Sequence, residues 1–330
     1  MTLSPRMLMM GFKPVSLCDW VYFQGYFQSY IKRRSHSRFF MSSAWMAAHV
    51  NEYLWGVRMG CLVIVKRKKV HQYYGLLLAL PPIHPEGDTE AEREVLDEFL
   101  AAGFDARLSD ADLDDMSLSQ DKSTGRAIVS GEYLYRAGSI CPPPSGRKSK
   151  NWRNISNRLD AAVSRGDVRV DEGKTGIPFD RIGSCRDLLS RWMRSATKPG
   201  GTSAMKRLIK MRPQENDGVS AVLVSDDKAR ILQVMHRVSY EHVMILLRIA
   251  VTEGSASVTE GGRTAHVIAS RKVSKESGPG TMVNMGAAGF SGTLRSHKQI
   301  LRPSMIVGVH NYGSSVGIDR DLWLDTSPGE

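Results

Sequence analysis

Three glycines, Gly286, Gly289 and Gly292, separate a short strand-like stretch, Thr281 to Asn284, from a helix-like run, Gly292 to Leu301. A strand that ends in a glycine-rich turn and opens into a helix presents backbone N–H groups to an anion or to a developing oxyanion. Arg295 and Lys298 stand three residues apart within the helical run and share a face. A cation pair near such a helix start can hold a phosphate or stabilise a tetrahedral oxyanion. Taken alone, the turn also suits a tight connection and the cations a solvated helix face. His236, His242, His266 and His297 are scattered, and each has the chemistry of a general base. No order of Ser, His and Asp suggests a nucleophilic triad. The glycine spacing differs from GxGxxG, and neither GxxxxGK[ST] nor HExxH occurs.

Charge is unevenly placed. The net charge of the 330-residue chain is +11. Between Glu86 and Asp121 there are 13 acidic residues against Arg93 and Arg107, whereas between Ser145 and Glu215 there are 17 Lys and Arg against 7 Asp and Glu. The second window is therefore about +10, nearly the whole surplus, and it is the footprint expected for a polyanion partner, nucleic acid or anionic membrane. Cys18, Cys61, Cys141 and Cys185 are widely spaced without a CxxC pair, so neither a zinc site nor a disulfide framework is expected. Apolar runs are short, as in Leu76 to Leu80 before Pro81 and Pro82, far below the roughly 18–20 residues of a membrane span. With no secretory signal at the amino terminus, these features predict a soluble cytoplasmic protein with no metal and no integral membrane contact.

The elements that would position the glycine turn follow from periodicity. Residues 41–53 read as helical, Cys61 to Lys66 and Tyr73 to Leu80 as strands, and Thr89 to Ala102 as a helix closed by Gly103. Cys141-Pro142-Pro143-Pro144 is the strongest breaker and predicts a junction between a domain over 1–142 and another over 143–330. The second half begins with a basic helix, Trp152 to Arg165, in which Ile155, Leu159, Ala162 and Val163 form an apolar stripe. A helix from Ser184 to Ala196 takes Ser184 as its N-cap. Strands follow at Ser220 to Val224 and Ala229 to Val238, around a turn at Asp226-Asp227. Val243 to Val251 fits strand or helix, residues 263–274 read as helical, and 305–309 as a last strand. Strands interleaved with helices in this order indicate an α/β or α+β class, with mixed sheets flanked by helices.

Several segments resemble one family. Ser145-Gly-Arg-Lys-Ser-Lys-Asn-Trp-Arg-Asn154 is similar to a basic segment of the phosphatidylglycerol lysyltransferase C-terminal domain family. Val283-Asn-Met-Gly286, then Gly292-Thr-Leu-Arg-Ser-His-Lys298 and Pro303, resembles its late segment, with Thr293 standing as an extra residue. Arg38-Phe-Phe-Met-Ser-Ser-Ala-Trp45, Tyr53 and the CLVIV strand resemble its amino-terminal part. The resemblance implies two tandem GNAT-type domains and transfer of an aminoacyl group from aminoacyl-tRNA. The stand-alone members, of the type that uses seryl-tRNA in valanimycin biosynthesis, imply a small amine, hydroxylamine or hydroxyl acceptor in natural-product chemistry. Aminoacyl-tRNA would be the co-substrate, with no other cofactor. On this reading Arg147, Lys148, Lys150, Arg153 and Arg158 contact tRNA, Asn284, Gly286, Gly289 and Gly292 line the pocket, and Lys298 and Arg295 stabilise the reacting ester. The competing classes are a GNAT N-acyltransferase using acyl-CoA, whose [QR]-x-x-G-x-[GA] loop is not found, and a non-catalytic module binding RNA or anionic membrane.

Overall fold

The computed structural model describes residues 9–34, 37–70, 73–108, 112, 116, 127–129, 134–136, 150–195, 202–214, 217–239 and 241–251, single positions between 264 and 276, and 281–284. The chain divides into two compact units between Glu132 and Tyr133. The Cys141 to Pro144 breaker lies outside the described residues.

In the first unit, β1 (Lys13–Pro14) is followed by α1 (Trp20–Arg34) and α2 (Ser43–Ala48). Then come β2 (Tyr53–Arg58), β3 (Cys61–Val70), β4 (Tyr73–Leu78), α3 (Thr89–Ala101), β5 (Asp105–Leu108) and β6 (Ala127–Val129). The sheet order is β1-β2-β3-β4-β5-β6. Pairing is antiparallel as far as β4, and parallel from β4 to β5 and from β5 to β6. A parallel neighbour needs a crossover, which α3 supplies between β4 and β5. Asp88 caps α3 by accepting from the N–H groups of Glu90 and Ala91, each at 3.0 Å. Gly103, at φ 96°, ends it in the left-handed conformation that a helix stop requires. Val95, Leu96 and Phe99 bury the apolar face of α3 with Cys61, Val63, Val65 and Leu78.

Opposite charges meet inside this unit. The basic end of α1 and the acidic stretch after residue 86 hold each other. The Arg34 Nη2 lies 3.2 Å from Glu92 Oε2 and its Nε 3.0 Å from Asp112 Oδ1. Arg33 donates to the other Glu92 oxygen, which also accepts from the His84 N–H at 2.7 Å. Arg38 pairs with Asp112, and Tyr30 donates to Asp112 at 2.7 Å. Arg34, Arg38, Glu92 and Asp112 are all buried.

The second unit has a related but different order. Strand β7 (Leu134–Arg136) and helix α4 (Lys150–Ser164) come first. They are followed by β8 (Arg169–Gly173), α5 (Ile182–Ser195), α6 (Thr202–Lys210), β9 (Val219–Ser225), β10 (Ala229–Ser239), β11 (His242–Ala250) and β12 (Met282–Asn284). Described helical positions at 264, 267–268, 271–273 and 275–276 lie on the crossover from β11 to β12. The sheet order is β7-β12-β11-β10-β9-β8, and β11–β12 is the parallel step. Each unit holds an antiparallel meander followed by a helical crossover to a parallel strand, but in the second unit β8 stands between α4 and the helix pair α5–α6, and the first strand pairs the crossover strand β12 instead of the meander. Cys185, Leu188, Leu189 and Trp192 of α5 recur at helical spacing and are buried, and α5 lies against β10 and β11.

Three element expectations need correction. Ser184 is inside α5, because a tight turn over Phe179–Arg181 runs straight into the helix at Ile182. Residues 41–53 divide into α2 and the start of β2 rather than one helical region. Val163 is exposed, so the buried stripe of α4 is Ile155, Ser156 and Leu159. The open choice at Val243 to Val251 resolves to strand, as eight consecutive buried residues from His242 to Ile249 on a central strand require.

Candidate functional site

The middle of the second sheet carries polar side chains where apolar ones would pack. Gln233 on β10 pairs directly with Arg248 on β11 and with Val222 on β9, and Val222 pairs with Glu172 on β8. Directly opposed residues point to the same face, so Glu172, Gln233 and Arg248 form one polar row across four strands. Gln233 is 1% exposed and Arg248 4%. Neither Oε1 nor Nε2 of Gln233 has a hydrogen-bond partner among the described residues. An amide left unpartnered in a core is costly, about 1–3 kcal/mol. Lys272, from the crossover, reaches the outer end of the row, with Nζ 3.4 Å from Glu172 Oε2 and 2.8 Å from Glu276 Oε1.

A bulge sits beside the row. Register runs from Val234↔Leu247 to Met235↔Ile245, leaving Leu246 as the extra residue on β11. His236 lies beyond it, opposite Met244 and on the other face from Gln233. Burial pushes the His236 imidazole down to about 3, against a weaker opposing hydrogen bond to the Asp217 backbone. It is neutral at physiological pH and only weakly basic. The depressed value also fixes a pH dependence. The unfolded chain takes up a proton at His236 below its ordinary value, near 6.5, and the folded chain does not until about 3. Stability associated with this site is therefore fully present above about pH 6.5 and declines as pH falls. Between pH 6.5 and pH 4 the decline should be about 3 kcal/mol. His236→Leu should flatten that part of the urea-denaturation stability profile; an unchanged acid slope in the variant would contradict the assignment. Burial likewise pushes the thiols of Cys61 and Cys185 up to about 12, so neither offers a thiolate nucleophile.

The parallel step aligns His242, Val243 and Met244 with Met282, Val283 and Asn284. Asn284 is the last residue of β12, and β7 pairs along the strand's other edge. Ligand crevices in open sheets lie outside the carboxyl ends of such parallel strands. The topology therefore puts Asn284, alone of the predicted pocket residues, on a described element at that end. Gly286, Gly289, Gly292, Arg295 and Lys298 lie outside the described residues.

Of the predicted tRNA contacts, Lys150, Arg153 and Arg158 are on α4, and Arg147 and Lys148 lie outside the described residues. Lys150 and Arg158 are exposed and Arg153 is half-buried. On α4, Arg271 of the crossover donates to Asp160 Oδ2 at 2.9 Å and to the buried Ser156 hydroxyl. Crossover and basic helix are thus tied together. Gln233, Arg248 and Lys272 are not among the residues that the sequence alone points to. The signal that could have found the first two is a polar residue within an apolar strand, ILQVM and ILLRI. Among the described residues, no cluster of His, Cys, Asp or Glu could hold a metal ion, and no helix is long and apolar enough to cross a membrane.

No family model and no curated protein matches the chain. Solved structures do. The chain is similar to a conserved protein of unknown function from Bacteroides thetaiotaomicron, with TM-score 0.58 and 14% identity over 88% of this chain and 94% of the other. It is also similar to L-PGS from Bacillus licheniformis, with TM-score 0.52 and 13% identity over 88% of each chain. A third likeness is to the C-terminal domain of a putative lysylphosphatidylglycerol synthetase from Agrobacterium fabrum, with TM-score 0.53 and 11% identity over 91% and 90%. At these identities the likeness is one of fold. The fold shared with them is one of two units, each a mixed sheet with helices.

Proposed function

We propose that the chain is an acyltransferase that moves an aminoacyl group from charged tRNA to a small amine, hydroxylamine or hydroxyl acceptor. The observation that carries this reading is the basic block, about +10 between Ser145 and Glu215, on the same unit as the parallel strand end at Asn284. A polyanion-binding surface and an acyl-transfer fold on one unit suit a substrate that is itself a polyanion carrying an acyl ester. The lysylphosphatidylglycerol in the name of the Agrobacterium fabrum neighbour is an aminoacyl ester, which agrees with that substrate class.

The chemistry asks little of the protein beyond placement. The aminoacyl ester is already activated. The acceptor nitrogen or oxygen attacks its carbonyl, the new C–N or C–O bond forms, and the bond to the terminal ribose breaks. The ribose oxygen leaves as a hydroxyl with the proton given up by the acceptor. Orientation and oxyanion stabilisation dominate such a reaction. Lys298 and Arg295 stand near the ester, Asn284, Gly286, Gly289 and Gly292 line the pocket, and no cofactor beyond the charged tRNA takes part. The unit that begins at Tyr133 holds this site.

Incubation with a mixture of charged tRNAs tests the reading, by recording which ester is consumed with and without added amines. Consumption of one aminoacyl ester, accelerated by an amine, is the expected result. Acyl-CoA consumption without effect on any charged tRNA would overturn it. Reversal of Lys148, Lys150 and Arg158 to Glu should abolish tRNA binding at moderate salt with the fold intact by circular dichroism. Every cation–phosphate pair that is broken forfeits its share of counterion release, so the effect should steepen as salt falls. Unchanged tRNA affinity in that variant would remove this face from the interface.

A further inference from the structure

Phe179 is 83% exposed, the most exposed large apolar side chain among the described residues. It stands at the first position of the tight turn that leads into α5. The Arg212 guanidinium lies over its ring, 5.3 Å from the centroid. This ring is held out by a built corner. Ile177, two residues before it, is buried. Gly176 bridges to Ser220, and its N–H donates to the Val219 carbonyl at 3.1 Å. Gly176 sits at φ 80°, and a Cβ there would come within 3.0 Å of Pro213 Cγ. Glycine thus lets the 176–179 corner close on the segment that carries Arg212. On the other side, the Arg181 N–H donates to the Pro178 carbonyl at 2.9 Å. The Phe179 carbonyl in turn accepts from the Ile182 N–H, so the ring stands on a closed turn.

The stretch of chain that carries the ring and its arginine is cationic, although Arg181 beside the ring is paired with Asp171 and Asp180. From Phe179 to Arg212 there are 9 Lys and Arg against Asp180 and Asp187. Lys206 and Lys210, one helical turn apart on α6, are exposed, and α6 ends two residues before Arg212. A protein partner docked through an aromatic anchor would ask for an apolar surround. A flat π face backed by guanidinium, on a segment that follows a helix with exposed ammonium groups, asks instead for a flat partner attached to an anionic backbone. That is the chemistry of an unpaired base in a nucleic acid strand, where sequence-tolerant stacking and phosphate contacts act together.

We infer that Phe179 and Arg212 form a stacking platform for an unpaired nucleobase of an RNA, whose phosphates run along Lys206 and Lys210. The platform lies outside the α4 contacts and so extends the RNA-binding surface. It rests on the proposed function for the nature of the partner, an RNA rather than another polyanion.

The test uses the full chain and a fluorescent single-stranded RNA of about ten nucleotides, beside the same strand in a blunt duplex, read by anisotropy. Wild type should bind the single strand more tightly than the duplex. Phe179→Ala should weaken single-strand binding about tenfold and leave duplex binding within about twofold, and Phe179→Trp should retain the preference. Single-strand affinity in Phe179→Ala within about twofold of wild type overturns the platform, as does a wild-type protein that binds neither RNA. Loss of binding to phosphatidylglycerol-containing vesicles, with RNA affinity unchanged, also overturns it. The platform and the transferase reading separate in two ways. If Phe179→Ala binds as wild type while the α4 reversal loses tRNA, the platform alone falls. If Phe179→Ala loses the single strand but the wild-type protein consumes no charged tRNA, the transferase reading alone falls.

Discussion

Replacing Glu92 by alanine should destabilise the first unit by about 3–5 kcal/mol, the cost of breaking a buried ion pair from one side. Glu92 takes Arg34 on one carboxylate oxygen and Arg33 with the His84 N–H on the other. Its side chain and that of Arg34 are almost wholly removed from water. Alanine removes the acceptor and leaves two guanidinium groups without that carboxylate, on a helix held in place by Phe23, Phe27 and Tyr30. The cations cannot simply turn outward, since α1 is fixed by those rings. Against the roughly 5–15 kcal/mol that holds an ordinary domain, such a loss can unfold the unit at physiological temperature. Glu92→Gln keeps the shape and an acceptor for His84 and should cost less. Urea denaturation followed by circular dichroism, with both variants compared, measures the difference. A loss of under about 1 kcal/mol for the alanine variant would mean that the pair behaves as an exposed one and the network does not hold α1 to α3.

Lys298→Ala should lower transfer by about a hundredfold at saturating charged tRNA. The residue lies six positions after Gly292, fewer than two turns into the expected helix, and three after Arg295. A cation there stabilises charge that exists only while the ester carbonyl is tetrahedral, worth roughly 3 kcal/mol by comparison with oxyanion-hole donors. The loss should therefore fall on the rate of the bound complex and leave tRNA affinity nearly unchanged. Lys298→Arg should recover part of the rate, because a planar guanidinium replaces a compact ammonium. Single-turnover transfer separates chemistry from binding. A Lys298→Ala protein that transfers at the wild-type rate removes the side chain from the mechanism and leaves the backbone of Gly286 to Gly292 as the oxyanion donor. A loss confined to tRNA affinity would make Lys298 a phosphate contact instead.

Strong local patterns survived the step from sequence to fold. The β3 run CLVIV, the Asp88-capped helix with its Gly103 stop, and the β9–β10 hairpin around Asp226 all carry their structure in near neighbours. Helix α1 was harder to see. Its buried positions, Trp20, Phe23, Phe27, Tyr30, Ile31 and Arg34, have helical spacing, but the stripe ends in an arginine that hydrophobicity alone places outside. Only the carboxylates of Glu92 and Asp112, 58 and 78 residues further on, explain why that arginine is inside. The same limit applies to the site. The strand read at Thr281 to Asn284 is present as β12, and its end at Asn284 was legible from the chain alone. The Glu172–Gln233–Arg248 row was not, because it exists only through the registers of three strand pairs.

The extra residue at Leu246 reaches beyond its own strand. Side chains on β11 alternate in one phase from His242 to Ile245 and in the opposite phase from Leu247 onward, so the strand reads as two frames joined at a slip. Arg248 meets Gln233 only because of that slip, while Met244 meets His236 in the earlier frame. A chain of the same topology without the bulge would keep one frame and put its equivalent of Arg248 on the wrong side. Any alignment of this strand with such a chain therefore needs a one-residue gap at Leu246, and a gapless comparison would pair core positions with polar ones. At identities of 11–14%, where few matching letters anchor an alignment, that phase error would hide the polar row from a purely linear comparison.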